Sequence, residues 1–156
     1  VIDAIATLPP ALVYLVAAAV IAAETALLPG IVLPTLSTLL LVGFLAGQGT
    51  VDLWLAMAVV AAAAVFGDQL AYLEGRRLGR RITSARWRRV ESRIARYGVV
   101  AVFAARFLAG ARTLMPRVAG AAAVPYPRFL LVSMAAAVVW VVAALLVGKA
   151  GGSLIG

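Results

Sequence analysis

Long apolar stretches, separated by short clusters of proline, glycine and charge, organise this chain. Residues 11–28 (ALVYLVAAAVIAAETALL) predict an apolar helix that carries Glu24 near its end. Pro9 and Pro10 open it, where proline's fixed φ and missing donor suit a helix start. Residues 29–49 (PGIVLPTLSTLLLVGFLAGQG) begin with Pro29, Gly30 and Pro34, and then hold apolar residues as far as Gly47. That run is too short to span, because a crossing helix needs roughly 20 residues. It predicts a re-entrant helix whose broken backbone is buried in protein or faces a water-filled cavity. Residues 53–73 predict a full span with Asp68 four positions before Tyr72, ended by the charge and glycine of EGRRLGRR. Over 82–97, Ile82, Trp87, Val90, Ile94 and Tyr97 recur among arginines, the pattern of an interfacial amphipathic helix. Residues 98–124 form a second interrupted apolar segment, with Gly98, Gly110, Pro116 and Gly120 as break points. Pro125 and Pro127 reset the chain before a last span over 129–148. The tail GGSLIG is expected to be weakly structured, and the pattern is compatible with a further terminal helix.

The charge distribution sets the expected topology. Nine of the 14 basic residues fall between Arg76 and Arg96, so residues 76–97 should be cytoplasmic by the positive-inside rule. They are also placed to rest on anionic headgroups. The 53–73 span then runs from outside to inside, and the two interrupted segments enter from opposite faces. The expected fold is an all-α polytopic membrane protein with spanning helices, two opposed re-entrant hairpins in a pseudo-inverted repeat, and a cytoplasmic amphipathic helix. Discontinuous helices of this kind hold the binding sites of secondary transporters.

Composition narrows the chemistry. Of the 156 residues 65% are hydrophobic, against about half in soluble domains. The net charge of +8 is localised, and no recognition element for nucleic acid accompanies it. No cysteine or histidine is present, and the six acidic residues are scattered. Disulfides, thiol chemistry, a metal site and a cofactor are therefore not expected. Serine and threonine have no histidine base, so the chain is not expected to be an enzyme. No charged n-region or small-residue cleavage pattern precedes the first apolar run, so no signal peptide is expected.

Arg106 and Arg112 stand out, because ionisable groups at membrane depth face a cavity, a partner or a substrate. Six positions apart, they do not share one helix face, but they converge if the chain turns at Gly110. A guanidinium stays charged in the bilayer, and its fork matches phosphate. Each arginine is therefore a candidate contact for a phosphate headgroup or, alternatively, a structural partner or a snorkelling side chain. Glu24 and Asp68 are the intramembrane acids. Two roles stay open for them: static pairing with the arginines and proton exchange. Pro29, Pro34, Gly110, Pro116 and Gly120 are the expected hairpin breaks. Trp54, Trp87 and Trp140 receive no functional role.

These residues resemble the DedA family, the bacterial branch of the VTT-domain or SNARE-associated membrane proteins. The glutamate, proline loop and glycine-ended apolar helix of that family fall on Glu24, Leu28-Pro29, Leu33-Pro34 and Val42-Gly43. Its tyrosine-glycine-arginine stretch falls on Gly67, Tyr72, Gly75, Arg76 and Gly79. Its second-half signature falls on Phe103, Arg106, Phe107, Arg112, Pro116, Ala119 and Gly120. The resemblance covers about residues 20–148. It implies a single membrane domain over 1–156 in the bacterial cytoplasmic membrane. It also implies lipid translocation, with undecaprenyl phosphate or a phospholipid as cargo, Arg106 and Arg112 at the phosphate, and protons as the coupling ion. One departure stands out: the acid that the family carries after its loop proline is absent, with Thr35 and Leu36 following Pro34. Proton coupling would then pass to Glu24 and Asp68. Two other readings remain, an ion or small-solute secondary transporter and a lipid-binding assembly factor that moves nothing. The oligomeric state is left open.

Overall fold

The computed structural model describes residues 9–26, 35–79, 100–104, 106–108 and 111–155. Among them all regular secondary structure is helical. The elements are α1 (Pro10–Ala26), α2 (Thr35–Gly47), α3 (Leu53–Gly79), α4 (Ala111–Ala121) and α5 (Tyr126–Ile155). The expected breaks Pro29, Pro34 and Gly110, with Gly98 and the amphipathic segment 82–97, lie outside the described residues.

Local chemistry sets the ends of these helices. Pro9 offers its carbonyl to the Leu12 and Val13 amides at 2.9 and 3.3 Å, with Pro10 as first residue of α1. The end of α2 closes by a Schellman pair, Gly49 N–H to Ala46 O and Thr50 N–H to Leu45 O, around a left-handed Gly49 (φ 76°). Only glycine takes that conformation without strain. Asp52 then caps α3, its Oδ1 accepting the Leu55 N–H at 2.7 Å. The end of α4 repeats the closure, with Ala123 N–H to Gly120 O and Val124 N–H to Ala119 O, both 3.1 Å. Here the left-handed position holds Ala123 (φ 53°), a conformation that an L side chain resists.

Two helices, α3 with 27 residues and α5 with 30, are long and apolar enough to cross a membrane. At 1.5 Å per residue each exceeds the ~30 Å hydrocarbon thickness. The shorter α1 and α2 are also apolar. Large side chains such as Trp54, Leu131 and Val147 are more than 60% exposed on the outside of the bundle, which suits lipid rather than water. The main core joins Ala17 and Ile21 of α1, Leu39 and Leu45 of α2, Val60 of α3 and Val141 of α5. A second cluster gathers Tyr72, Val102, Ala119, Val124 and Phe129. There the Tyr72 ring stacks on Phe129 at 4.5 Å, and its hydroxyl donates to the Val124 carbonyl at 2.6 Å.

Two helix crossings are closed on glycine. Between α2 and α5, Gly43 lies on the Leu145 backbone, Gly148 on Leu40 and Gly152 on Phe44. Between α4 and α3, Gly120 lies on Tyr72, Gly75 on Arg117 and Gly79 on Ala121. At each of the six positions a Cβ would collide with a carbonyl oxygen. Small residues let apolar helices meet backbone to backbone, where dispersion rather than water exclusion holds them.

Three expectations about breaks are corrected. The helix α3 does not end at the charges after Leu73; it continues through Glu74, Arg76 and Arg77 to Gly79. Loss of hydropathy does not stop a helix, and Gly75 and Gly79 serve contact with α4. The GGSLIG tail is helical as far as Ile155, because Gly152 likewise packs on α2. Pro116 and Gly120 lie inside α4 and do not break it. Pro116 leaves the Arg112 carbonyl without its usual helical donor, a loss that packed membrane helices absorb. Gly120 is needed where α4 meets Tyr72, and the left-handed turn falls three residues later.

Thermal unfolding in detergent micelles tests these contacts. Gly75→Ala should destabilise by about 1–3 kcal/mol, since neither backbone can yield freely. Ala123→Gly should instead stabilise by up to about 1 kcal/mol by relieving the left-handed alanine.

Candidate functional site

Four buried ionisable side chains form two ion pairs across the bundle. Arg106 donates to Asp68 through Nη1 and Oδ2, joining the turn at 106–108 to α3. Ser133 of α5 donates its hydroxyl to the same Asp68 oxygen. Arg112, the second residue of α4, donates through Nη2 to Oε1 of Glu24 on α1. The Glu24 carboxylate also lies against the backbone N–H of Thr35, the first residue of α2. One carboxylate thus links the starts of both short helices.

Trp140 of α5 joins the two pairs. Its ring centroid lies 5.7 Å from the Arg106 guanidinium carbon and 4.8 Å from that of Arg112. Both distances are within cation–π range. The electron-rich ring attracts both cations, and that attraction offsets part of their mutual repulsion. Arg106 and Arg112 therefore converge on one ring, although the expected turn at Gly110 lies outside the described residues. Both are also paired, so neither snorkels.

The pairs differ in access. The Arg106 and Asp68 side chains are 8% and 2% exposed, and Ser133 adds a further bond. Arg112 is 18% exposed and Glu24 5%. The Arg106 pair is the more enclosed of the two, and Arg112 is the more accessible guanidinium. Hydrogen-bonding capacity is also left over: among the described residues, Glu24 Oε2, Asp68 Oδ1, Thr35 Oγ1 and Gln69 Oε1 are buried without a donor, and Arg106 Nε without an acceptor. Buried polar atoms of this kind call for a partner such as water, a proton or a ligand.

The sequence reading missed three contributors. Ser133 and Trp140 are seven residues apart on α5, two helical turns on one face; a polar residue and a ring at that spacing in an apolar helix were the available signal. Arg117, 8% exposed, bonds through Nε to Glu74 Oε2 at 2.7 Å and through Nη1 to the Thr113 carbonyl at 2.8 Å. Its register on α4 was hidden by treating Pro116 as a break. Among the described residues no group of three or more acidic side chains could hold a metal ion.

Residues 33–150 match the family model of the VTT domain. The chain is 37% identical over 138 residues to the inner membrane protein YghB of Escherichia coli strain K12, covering 83% of this chain and 63% of that protein. It is 30% identical over 139 residues to the inner membrane protein YqjA of the same strain, at the same coverage. A membrane protein of Mycobacterium leprae shares 35% over 121 residues, 69% of this chain and 53% of its own length. The chain thus spans less than two thirds of the curated relatives it matches. No solved structure matches it.

A double-mutant cycle in detergent checks the pairing. Arg106→Leu should cost about 3–5 kcal/mol of unfolding free energy, because it strands a buried carboxylate. Adding Asp68→Leu should recover most of that loss, and full additivity of the two would refute the pair.

Proposed function

This chain belongs to the VTT-domain, or DedA, family of inner-membrane proteins, and on that premise we propose that it moves a lipid across the membrane by binding its phosphate headgroup at Arg112. The observation that carries the reading is a contrast in access: of two guanidiniums gathered on one indole, only Arg112 combines partial exposure with a partner that has an unbonded oxygen among the described residues. Its place at the start of α4 adds the partial positive charge of a helix N-terminus, which favours a phosphate. The cargo in this reading is undecaprenyl phosphate or a phospholipid, with its tail remaining in the bilayer.

Charge balance suggests the coupling. In the paired state the two arginines and two carboxylates sum to zero. A phosphate monoanion that takes Arg112 from Glu24 leaves that carboxylate alone in a dry site, which is costly. Protonation of Glu24 restores neutrality, so an entering phosphate brings a proton with it. Asp68, locked by Arg106 and Ser133, stays a structural anchor. With Leu36 in place of the family's acid, Glu24 carries the proton in this scheme.

An architecture of two opposed hairpins, related as an inverted repeat, fits the helix crossings. Gly43 on Leu145 corresponds to Gly120 on Tyr72, Gly148 on Leu40 to Gly75 on Arg117, and Gly152 on Phe44 to Gly79 on Ala121. Each short helix packs on the long helix of the other half. Contacts four residues apart step together, Leu40 then Phe44 against Gly148 then Gly152, so each pair runs in the same sense. With α2 and α4 both starting at Glu24, their N-termini would meet at the midplane, as at the discontinuous helices of transporters. In this reading the chain works as a transporter and not as an enzyme.

Headgroup translocation in proteoliposomes tests the proposal. Arg112→Ala should slow it by roughly 10- to 100-fold, the worth of a charged hydrogen bond. Arg112→Lys should restore little, because the fork is lost. Glu24→Gln should abolish the response to an imposed pH gradient. Normal translocation by folded Arg112→Ala would overturn the assignment.

A further inference from the structure

At the end of the bundle where α3 begins and α5 finishes, a cleft of about 700 Å³ opens between α1, the 49–52 turn and α5. It lies far from the buried ion pairs: Asp52 is sixteen residues before Asp68 in the chain, about 24 Å along a helix axis. Asp52 and Lys149 both line it, with Tyr14, Trp54 and Leu55. From this arrangement we infer a second lipid site, one that holds a phospholipid whose headgroup carries both an ammonium and a phosphate.

The cleft is built rather than incidental. The Tyr14 hydroxyl accepts the Asp52 N–H at 2.7 Å and donates to the Asp52 carbonyl at 3.4 Å, pinning the turn to α1. Asp52 Oδ1 is held by the Leu55 amide, so the carboxylate has a fixed position, and no donor to its Oδ2 is found among the described residues. Lys149 projects into the same cleft, yet no salt bridge joins it to Asp52. Two opposite charges held apart in one cleft match a zwitterion. A bare anion would meet Asp52 and a bare cation would meet Lys149, each at a Coulombic cost. In the inferred complex the ammonium donates to Asp52 Oδ2 and the phosphate accepts from Lys149. Trp54 and Leu55, 77% and 49% exposed, supply the apolar wall beneath. A tryptophan at the start of a spanning helix is the usual anchor at headgroup level.

This site goes beyond the transport reading, and its test reads equilibrium retention instead of movement. The full chain is reconstituted in nanodiscs with equal phosphatidylethanolamine and phosphatidylglycerol, and retained lipid is counted by native mass spectrometry. The wild type should keep phosphatidylethanolamine over phosphatidylglycerol by about fivefold, the upper range for one exposed ion pair. Asp52→Asn, whose side-chain oxygen can still cap α3, should erase that preference. Lys149→Gln should reduce retention of both lipids. Equal retention by the wild type, or an Asp52→Asn protein with preference intact, would overturn the site. Those results would leave the Arg112 proposal untouched, since it is judged by translocation alone.

Discussion

Charges in hydrocarbon need near neighbours of opposite sign, and that constraint shapes the centre of this molecule. Arg106 and Arg112 come from a turn and a short helix, Asp68 and Glu24 from α3 and α1, and Ser133 and Trp140 from α5. Without the carboxylates, two guanidiniums on one indole would repel each other in a medium that screens poorly. With them, the group is neutral and ties four helices together. Neutrality also makes the site responsive. In the proposed transport, an entering anion displaces a carboxylate or arrives with a proton, so that ligand binding and protonation become one event.

The glycine contacts position that centre. The helices α2 and α4 are too short to cross, so their N-termini need protein around them, and close seating on α5 and α3 provides it. Seating α2 on α5 and α4 on α3 accompanies the meeting of Thr35 and Arg112 at the same glutamate. The same contacts give the molecule two similar packed units, α2 with α5 and α3 with α4.

Much of this was legible in the residues. Apolar run lengths located α1 and the start of α3 within a position or two and placed α2 and the centre of α5, while α4 was hidden inside a segment read as interrupted; the cost of buried charge singled out Arg106, Arg112, Glu24 and Asp68. What failed was the treatment of glycine and proline as punctuation. Gly75, Gly79, Gly120 and Gly152 are contact surfaces, which only the partner helix explains, so α3 and α5 ran longer than hydropathy implied. Pro116 sits within a helix because surrounding protein compensates for its missing donor. Trp140 went unassigned because a tryptophan in an apolar helix ordinarily faces lipid. Its role depends on two arginines arriving from 28 or more residues away in the chain. Arg117 and Glu74 were similarly invisible, since their meeting depends on the register of α4 against α3.

The claim at the centre is that a lipid phosphate takes the place of Glu24 at Arg112. Solid-state NMR with nitrogen-labelled arginine can measure dipolar coupling between lipid phosphorus and each guanidinium in a native-like bilayer. The account predicts phosphorus contact at the Arg112 nitrogens, absent at Arg106, and weakened when Glu24→Asp alters the competing carboxylate. Phosphorus contact confined to surface arginines such as Arg76 and Arg77, with none at Arg112, would contradict it.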